Sequence, residues 1–145
     1  MADKKSSDVL SDFEKQALKE RAAELKRQAR NAGKREAGLK DLLEKVAEMP
    51  PPDRVLAEKI HEIVSEHAPE LDPKTWYSFP AYARDGKVMI FFQPAAKFEA
   101  RYATLGFQDN TNLDDGTFWA TSYAVTEITP EVEEKLIALV KKAVS

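Results

Sequence analysis

The stretch AYARDGKVMIFF, residues 81–92, contains the clearest strand, turn and strand pattern in the chain. Asp85 and Gly86 suit the positive φ angles of a two-residue hairpin turn. Residues 88–92 form a short run of strand-forming side chains. The stretch is therefore predicted to be a β-hairpin.

Two further strands are predicted on the C-terminal side of the hairpin. ARYATLGF at 100–107 and FWATSYAV at 118–125 are rich in strand-forming residues, and NLDDG at 112–116 supplies a turn between them. Twelve of the thirteen aromatic residues fall between residues 76 and 123, which marks this part of the chain as the sheet. Short strands joined by tight turns predict a mainly antiparallel sheet of four to five strands.

Helical patterns flank the sheet region on both sides. A helix over 35–49 is ended by three prolines at 50–52, and Asp53 is the expected N-cap of the next helix, which runs to about residue 68. The last helix begins at Thr129, with proline at its first helical position. The predicted fold class is α+β, with helices covering one face of the antiparallel sheet.

The first 34 residues are predicted to be an appendage of this domain. Residues 1–10 are polar and lack periodicity, so we expect a disordered tail. Residues 11–34 form an accessory helix rich in Ala, Glu, Lys and Arg, with a stop signal at Asn-Ala-Gly over 31–33. The α+β domain is then expected to span 35–145.

Composition narrows the classes of function. The chain has no cysteine, which excludes disulfides, thiolate metal sites and cysteine nucleophiles. No apolar run approaches the roughly 20 residues of a membrane span, and the N-terminus has no apolar signal-peptide core. We therefore expect a cytoplasmic protein that does not contact membranes. The net charge of −3 also disfavours a nucleic-acid partner.

The usual enzymatic signatures are missing from the sequence. There is no phosphate-binding glycine loop, no G-x-S-x-G elbow and no HExxH pair. The two histidines, His61 and His67, are six residues apart on one predicted helix and do not share a face. The sequence therefore predicts a protein that is not an enzyme.

Two sets of residues are candidates for a site. Glu58, Glu62 and Glu66 recur at a spacing of one helical turn and form an acidic ridge. Their carboxylates suit hard ions such as Fe²⁺. The alternative interpretation of the ridge is a solvated helix face. The second set consists of side chains in the aromatic region that end in a polar group or carry a charge. These side chains could line a pocket for a small ligand. The alternative interpretation is that they pack in the core. Its members are Trp76, Tyr82, Arg101, Tyr102 and Trp119.

Several motifs together resemble the YdhG-like family of small bacterial proteins. They are W-Y-x-x-P-A-Y at 76–82, D-G-K-V at 85–88, F-F-Q at 91–93, Y-A-T-L-G-F at 102–107 and L-D-D-G at 113–116. The chain has Ala120 where the family pattern has proline after the tryptophan. The resemblance implies a frataxin-like fold over 35–145 and brings no catalytic residues.

Three functions follow as expectations. The resemblance implies weak, frataxin-like iron binding or delivery through the acidic ridge, with iron-using proteins as partners. The aromatic residues favour instead a small-molecule-binding domain with a pocket on the sheet. The basic face of the N-terminal helix leaves open a protein-interaction adaptor. The sequence alone does not choose between an iron cofactor and a small ligand.

Overall fold

A computed structural model of the chain describes the backbone of residues 2–145. Side chains are described at 14–16, 18–19, 21–23, 26 and 33–145. The helices are α1 (Ala2–Glu48), α2 (Pro51–His67) and α3 (Pro130–Ala143), with one short 3₁₀ turn, Ala96–Phe98. The strands are β1 (Asp72–Trp76), β2 (Phe79–Arg84), β3 (Lys87–Gln93), β4 (Ala103–Phe107) and β5 (Ser122–Val125).

The five strands form one antiparallel sheet in the order β1-β2-β3-β4-β5, so each strand pairs with its neighbours in sequence. The predicted α+β class with an antiparallel sheet is confirmed. The predicted hairpin is β2 and β3, and its turn residues Asp85 and Gly86 have φ angles of 50° and 80°. Such paired positive angles are those of a type I′ turn, whose twist matches that of the strands.

Helices α2 and α3, together with the part of α1 that follows Glu36, pack on one face of the sheet. Strand residues that pair across β2, β3 and β4, such as Tyr82, Ile90 and Phe107, point to this face and are buried. They share one core with apolar residues of all three helices, including Leu42 of α1 and Val140 of α3. The apolar stripe of α2 is buried throughout, at Leu56, Ile60, Ile63 and Val64.

Helix α1 and strand β1 approach each other closely at one glycine. A Cβ atom on Gly38 would overlap the backbone carbonyl of Pro73. Strand β1 itself is not among the predicted strands, because Pro73 lacks an N–H and its segment has no alternating pattern. Proline is accepted there because β1 is an edge strand, paired on one side only with β2.

The N-terminal region differs from its prediction. Helix α1 is continuous from Ala2 to Glu48, so it runs through the stop signal expected at 31–33 and past both ends of the accessory helix expected at 11–34. Residues 2–10, expected to be disordered, are also helical, and Met1 lies outside the described residues. The segment contains no proline before Pro50, and each of its two glycines, Gly33 and Gly38, costs a helix only about 1 kcal/mol.

The chain separates into two compact units, Met1–Glu36 and Ala37–Ser145. The first unit consists of helix α1 up to Glu36, and the second contains the sheet, the remaining helices and the core. The predicted domain boundary at 34/35 lies two residues earlier. None of the helices described in residues 2–145 combines the length and apolar character needed to cross a membrane.

Candidate functional site

An aromatic pocket lies on the sheet face that points away from the core. Its cavity measures about 390 Å³, within the range typical of small-molecule sites. Five of the lining residues are aromatic and two are polar, and all come from the β1–β2 turn region, β3 and the 3₁₀ turn. They are Trp76, Tyr77, Phe79, Phe91, Gln93, Lys97 and Phe98.

Strand register brings the central rings of the pocket together. Trp76 and Phe79 are partners at the end of the β1–β2 ladder, and Ala81, two residues after Phe79, pairs with Phe91. Phe79 is only 4% exposed and packs at about 5.8–5.9 Å between ring centres against Trp76, Phe91 and Phe98. These offset and edge-to-face contacts are the preferred geometries of aromatic pairs, so the rings support one another.

Phe91 lies over a bare stretch of backbone. Its partner in β4 is Gly106, and a Cβ atom there would collide with the Phe91 ring. The glycine therefore lets the ring lie down on the strand, where it forms the floor of the pocket. Adjacent strand residues point to opposite faces, so Phe92 is fully buried in the core while Phe91 is half-buried on the pocket side.

The turn between β1 and β2 forms one rim of the pocket. Its two residues, Tyr77 and Ser78, both have positive φ angles, 51° and 64°, which are uncommon for residues other than glycine. The Lys97 ammonium donates a hydrogen bond of 3.1 Å to the Tyr77 carbonyl. Tyr77 is 73% exposed, so this rim presents an aromatic ring to solvent. The hydrogen bond from Lys97 fixes the turn that carries this ring.

The opposite wall is anchored by a buried carboxylate. Asp53 is 4% exposed, and its two oxygens accept hydrogen bonds from the backbone N–H groups of Ala95 at 3.1 Å and Ala96 at 3.0 Å. These residues open the 3₁₀ turn that carries Lys97 and Phe98. Asp53 therefore positions two pocket residues that it does not contact.

Asp53 is not the N-cap of α2, and that prediction is wrong. The helix begins two residues earlier, at Pro51, and its N-cap position is Pro50, which has no side-chain cap. Prolines fit the first turn of a helix because the N–H groups there have no partner within the helix. The carboxylate of Asp53 is thus free to bind the distant loop, while the positive end of the helix dipole still favours its charge.

Of the five residues predicted to line a ligand pocket, Trp76 lies in the lining of this aromatic pocket and the other four do not. Arg101 and Tyr102 contact each other in the loop before β4, with the guanidinium 5.2 Å from the ring centre. Trp119 lies in the loop before β5 and is 38% exposed. The structure therefore does not gather these three around the cavity.

Tyr82 is a core residue and does not belong to a pocket rim. Its side chain points to the helix-covered face, and burial raises the pKa of its hydroxyl well above the ordinary value. The hydroxyl oxygen lies 2.9 Å from Nδ1 of His61. Burial lowers the pKa of the His61 imidazole below its ordinary value.

The acidic ridge is exposed and interleaved with basic side chains. Glu58 lies 3.9 Å from Arg54, Glu62 lies 3.5 Å from Lys59, and Glu66 lies 3.8 Å from His67. All three carboxylate side chains are more than half exposed. Across the described part of the chain, no group of three His, Cys, Asp or Glu side chains is arranged to hold a metal ion. The geometry favours a solvated helix face.

Six pocket residues were not predicted from the sequence: Tyr77, Phe79, Phe91, Gln93, Lys97 and Phe98. Neighbouring side chains along a strand point to opposite faces of the sheet, so one of the adjacent rings Phe91 and Phe92 must point away from the core. Gly106 is the further signal, because a glycine inside a strand often marks the close approach of another group.

No protein-family model, curated protein or solved structure matches the chain.

Proposed function

We propose that this chain is a non-enzymatic binding protein whose aromatic pocket takes a small, flat and largely apolar molecule. The observation that supports this most directly is the ring of five aromatic side chains around a cavity of about 390 Å³. This cavity lies on the sheet face opposite the helices, and its only helical contribution among the described residues is the 3₁₀ turn.

The exposed rings leave apolar surface that a ligand can remove from water. Tyr77 is 73% exposed and Phe98 is 44% exposed. Each 100 Å² of apolar surface buried contributes about 2.5 kcal/mol, and ring faces add specific stacking contacts with flat partners. A flat molecule between these rings is therefore stabilised both by the burial of apolar surface and by stacking contacts with the rings.

The pocket walls are held in place before a ligand arrives. Gly106 seats Phe91, and the carboxylate of Asp53 fixes the turn that carries Phe98. Lys97 joins that turn to the β1–β2 turn. Walls fixed in this way reduce the loss of side-chain freedom on binding, which is one of the main costs of association.

The polar end of the pocket indicates how a ligand would be oriented. Gln93 and Lys97 are the two non-aromatic side chains among its lining residues. An amide and an ammonium placed together beside aromatic rings suit a ligand with a hydrogen-bond acceptor or a negative charge at one end. The ligand class is therefore a flat ring system that carries an acceptor group.

The iron role of the acidic ridge, membership of the YdhG-like family and a cytoplasmic location remain proposals. The first two rest on the motifs at 76–82 and 102–107 and their neighbours, and the third rests on composition. The aromatic pocket is the better-supported site because its rings converge on one cavity, whereas Glu58, Glu62 and Glu66 lie exposed beside basic side chains.

A backbone NMR titration of the full chain tests the proposed pocket. The probes are indole, quinoline and 2-naphthol, with cyclohexanol as the non-aromatic control. We expect the flat probes to shift the amides of Phe79, Phe91 and Phe98 in a saturable way, and cyclohexanol to bind at least tenfold more weakly.

Two variants make the titration specific. Phe91→Ala removes the pocket floor and should abolish the shifts, whereas Phe118→Ala removes a ring that is 90% exposed outside the pocket and should leave them unchanged. Shifts that centre elsewhere, or that are equal in the two variants, would contradict the proposal.

A further inference from the structure

A second, larger cavity lies between helix α3 and the edge strand β5. Its volume is about 510 Å³, and its lining is apolar apart from two lysines on the helix. The strand side includes Tyr123, Ala124 and Val125, and the helix side includes Leu136 and Leu139. The aromatic pocket shares no residue with this groove.

The open edge of β5 presents unpaired backbone groups beside the groove. The strand pairs with β4 on one side only. Phe107 donates its N–H to the Thr121 carbonyl, and hydrogen-bonded pairs alternate along an antiparallel ladder. Tyr123 and Val125 therefore direct their N–H and C=O groups toward β4, so Ser122 and Ala124 direct theirs outward.

The charge along the groove has one sign. Lys135 and Lys142 are its two charged lining residues, seven positions apart and thus about 10 Å along the helix axis. Between them lie Ala138 and Leu139, which continue the apolar lining. Lys135 makes a solvent-exposed pair with Glu131 at 3.5 Å, and such pairs are weak enough to exchange for another carboxylate.

We propose that this groove binds an extended peptide segment, which adds an antiparallel sixth strand to the open edge of β5. Backbone hydrogen bonds to Ser122 and Ala124 would hold the segment, as in other cases of strand addition. Side chains that point toward α3 would alternate acidic, apolar and acidic, so that the apolar one contacts Leu139 and the acidic ones meet Lys135 and Lys142. Acids four residues apart are about 13 Å apart in a strand, which flexible lysines can span.

A designed peptide tests this chemistry on the full chain. The probe is acetyl-TETVTET-amide, in which Glu, Val and Glu share one face. We expect it to shift the amides of Ser122 and Ala124 and to slow their hydrogen exchange. Acetyl-TKTVTKT-amide should bind at least tenfold more weakly. So should TETVTET with its third and fifth residues N-methylated, because those residues face β5 in antiparallel pairing.

Charge reversal on the helix keeps the test independent of folding defects. The double variant Lys135→Glu and Lys142→Glu changes only exposed side chains and should reverse the preference between the two peptides. Lys141→Glu is the matched control, since this exposed lysine is outside the groove, and it should leave the preference unchanged.

Three results would overturn the proposal. The first is equal binding of the methylated and unmethylated peptides, which would mean that no strand is added. The second is a groove that responds to decanoate but not to TETVTET, which would make it a fatty-acid site. The third is protection of Ser122 and Ala124 in the free protein together with a dimer in sedimentation velocity, which would assign the edge to a second copy of the chain.

Discussion

Replacing Asp53 by Asn tests how the second wall of the aromatic pocket is held. The carboxylate accepts two backbone hydrogen bonds, of 3.1 Å and 3.0 Å, while only 4% exposed. Asparagine keeps one acceptor oxygen, and its amide N–H₂ would face the other backbone donor. Because a hydrogen bond to a charged group contributes about 1.5–3 kcal/mol, we expect the variant to lose about 2 kcal/mol of stability. For a chain of this size the loss corresponds to a melting temperature lower by about 6 °C.

The effect on the pocket is the more specific part of this prediction. Without both bonds the 3₁₀ turn is released, so the amides of Ala95 and Ala96 should exchange faster and flat probes should bind at least fivefold more weakly. Urea unfolding and hydrogen exchange measure the two parts. Asp109→Asn, at an exposed carboxylate, is the control for the change in charge. A stability loss below about 0.5 kcal/mol with unchanged exchange would refute the role assigned to Asp53.

Three further predictions follow from other parts of the structure. Gly38→Ala should destabilise the protein, because the added Cβ would meet the Pro73 carbonyl. Gly33→Ala should instead stabilise it by about 0.5–1 kcal/mol, because a Cβ there has no atom within 4 Å. Urea unfolding of the two variants measures both changes. Burial lowers the pKa of His61 below its unfolded value of 6.5, so the unfolded state binds more protons and stability should fall as the pH drops below about 6.5. This fall should be smaller in His61→Gln, measured as urea midpoints between pH 7.5 and 5. Replacing the three ridge glutamates by glutamine should leave binding of 2-naphthol unchanged, and it would abolish micromolar Fe²⁺ binding only if the ridge is an iron site after all.

Local sequence signals predicted the elements that depend on local chemistry. The hairpin at 81–92 follows from its turn residues, and α3 begins as predicted at Thr129, whose hydroxyl accepts the N–H of Val132. Strand β1 could not be predicted, because its Pro73 reads as a break and the strand exists only through pairing with β2. Elements with a strong local sequence pattern were therefore predicted correctly. An element with a weak pattern, such as β1, depends on the strand that pairs with it.

The candidate site was harder to predict, because its residues meet through register and long-range contacts. Alternation required that either Phe91 or Phe92 leave the core, but only the pairing of Ile90 with Phe107 decides which one. Asp53 matched a capping pattern, yet its partners lie 42 and 43 residues away. Such a contact leaves no trace in the spacing of neighbouring residues.

The most direct test of the pocket is a fluorine NMR titration of the full chain labelled with 5-fluorotryptophan. The two tryptophans give two signals, one from Trp76 inside the pocket and one from Trp119 outside it, and Trp119→Phe assigns them. We predict that 2-naphthol shifts the Trp76 signal saturably, leaves the Trp119 signal in place, and has no effect on Trp76 in the Phe91→Ala variant. A Trp76 signal that does not move, or that moves equally in Phe91→Ala, would contradict the account.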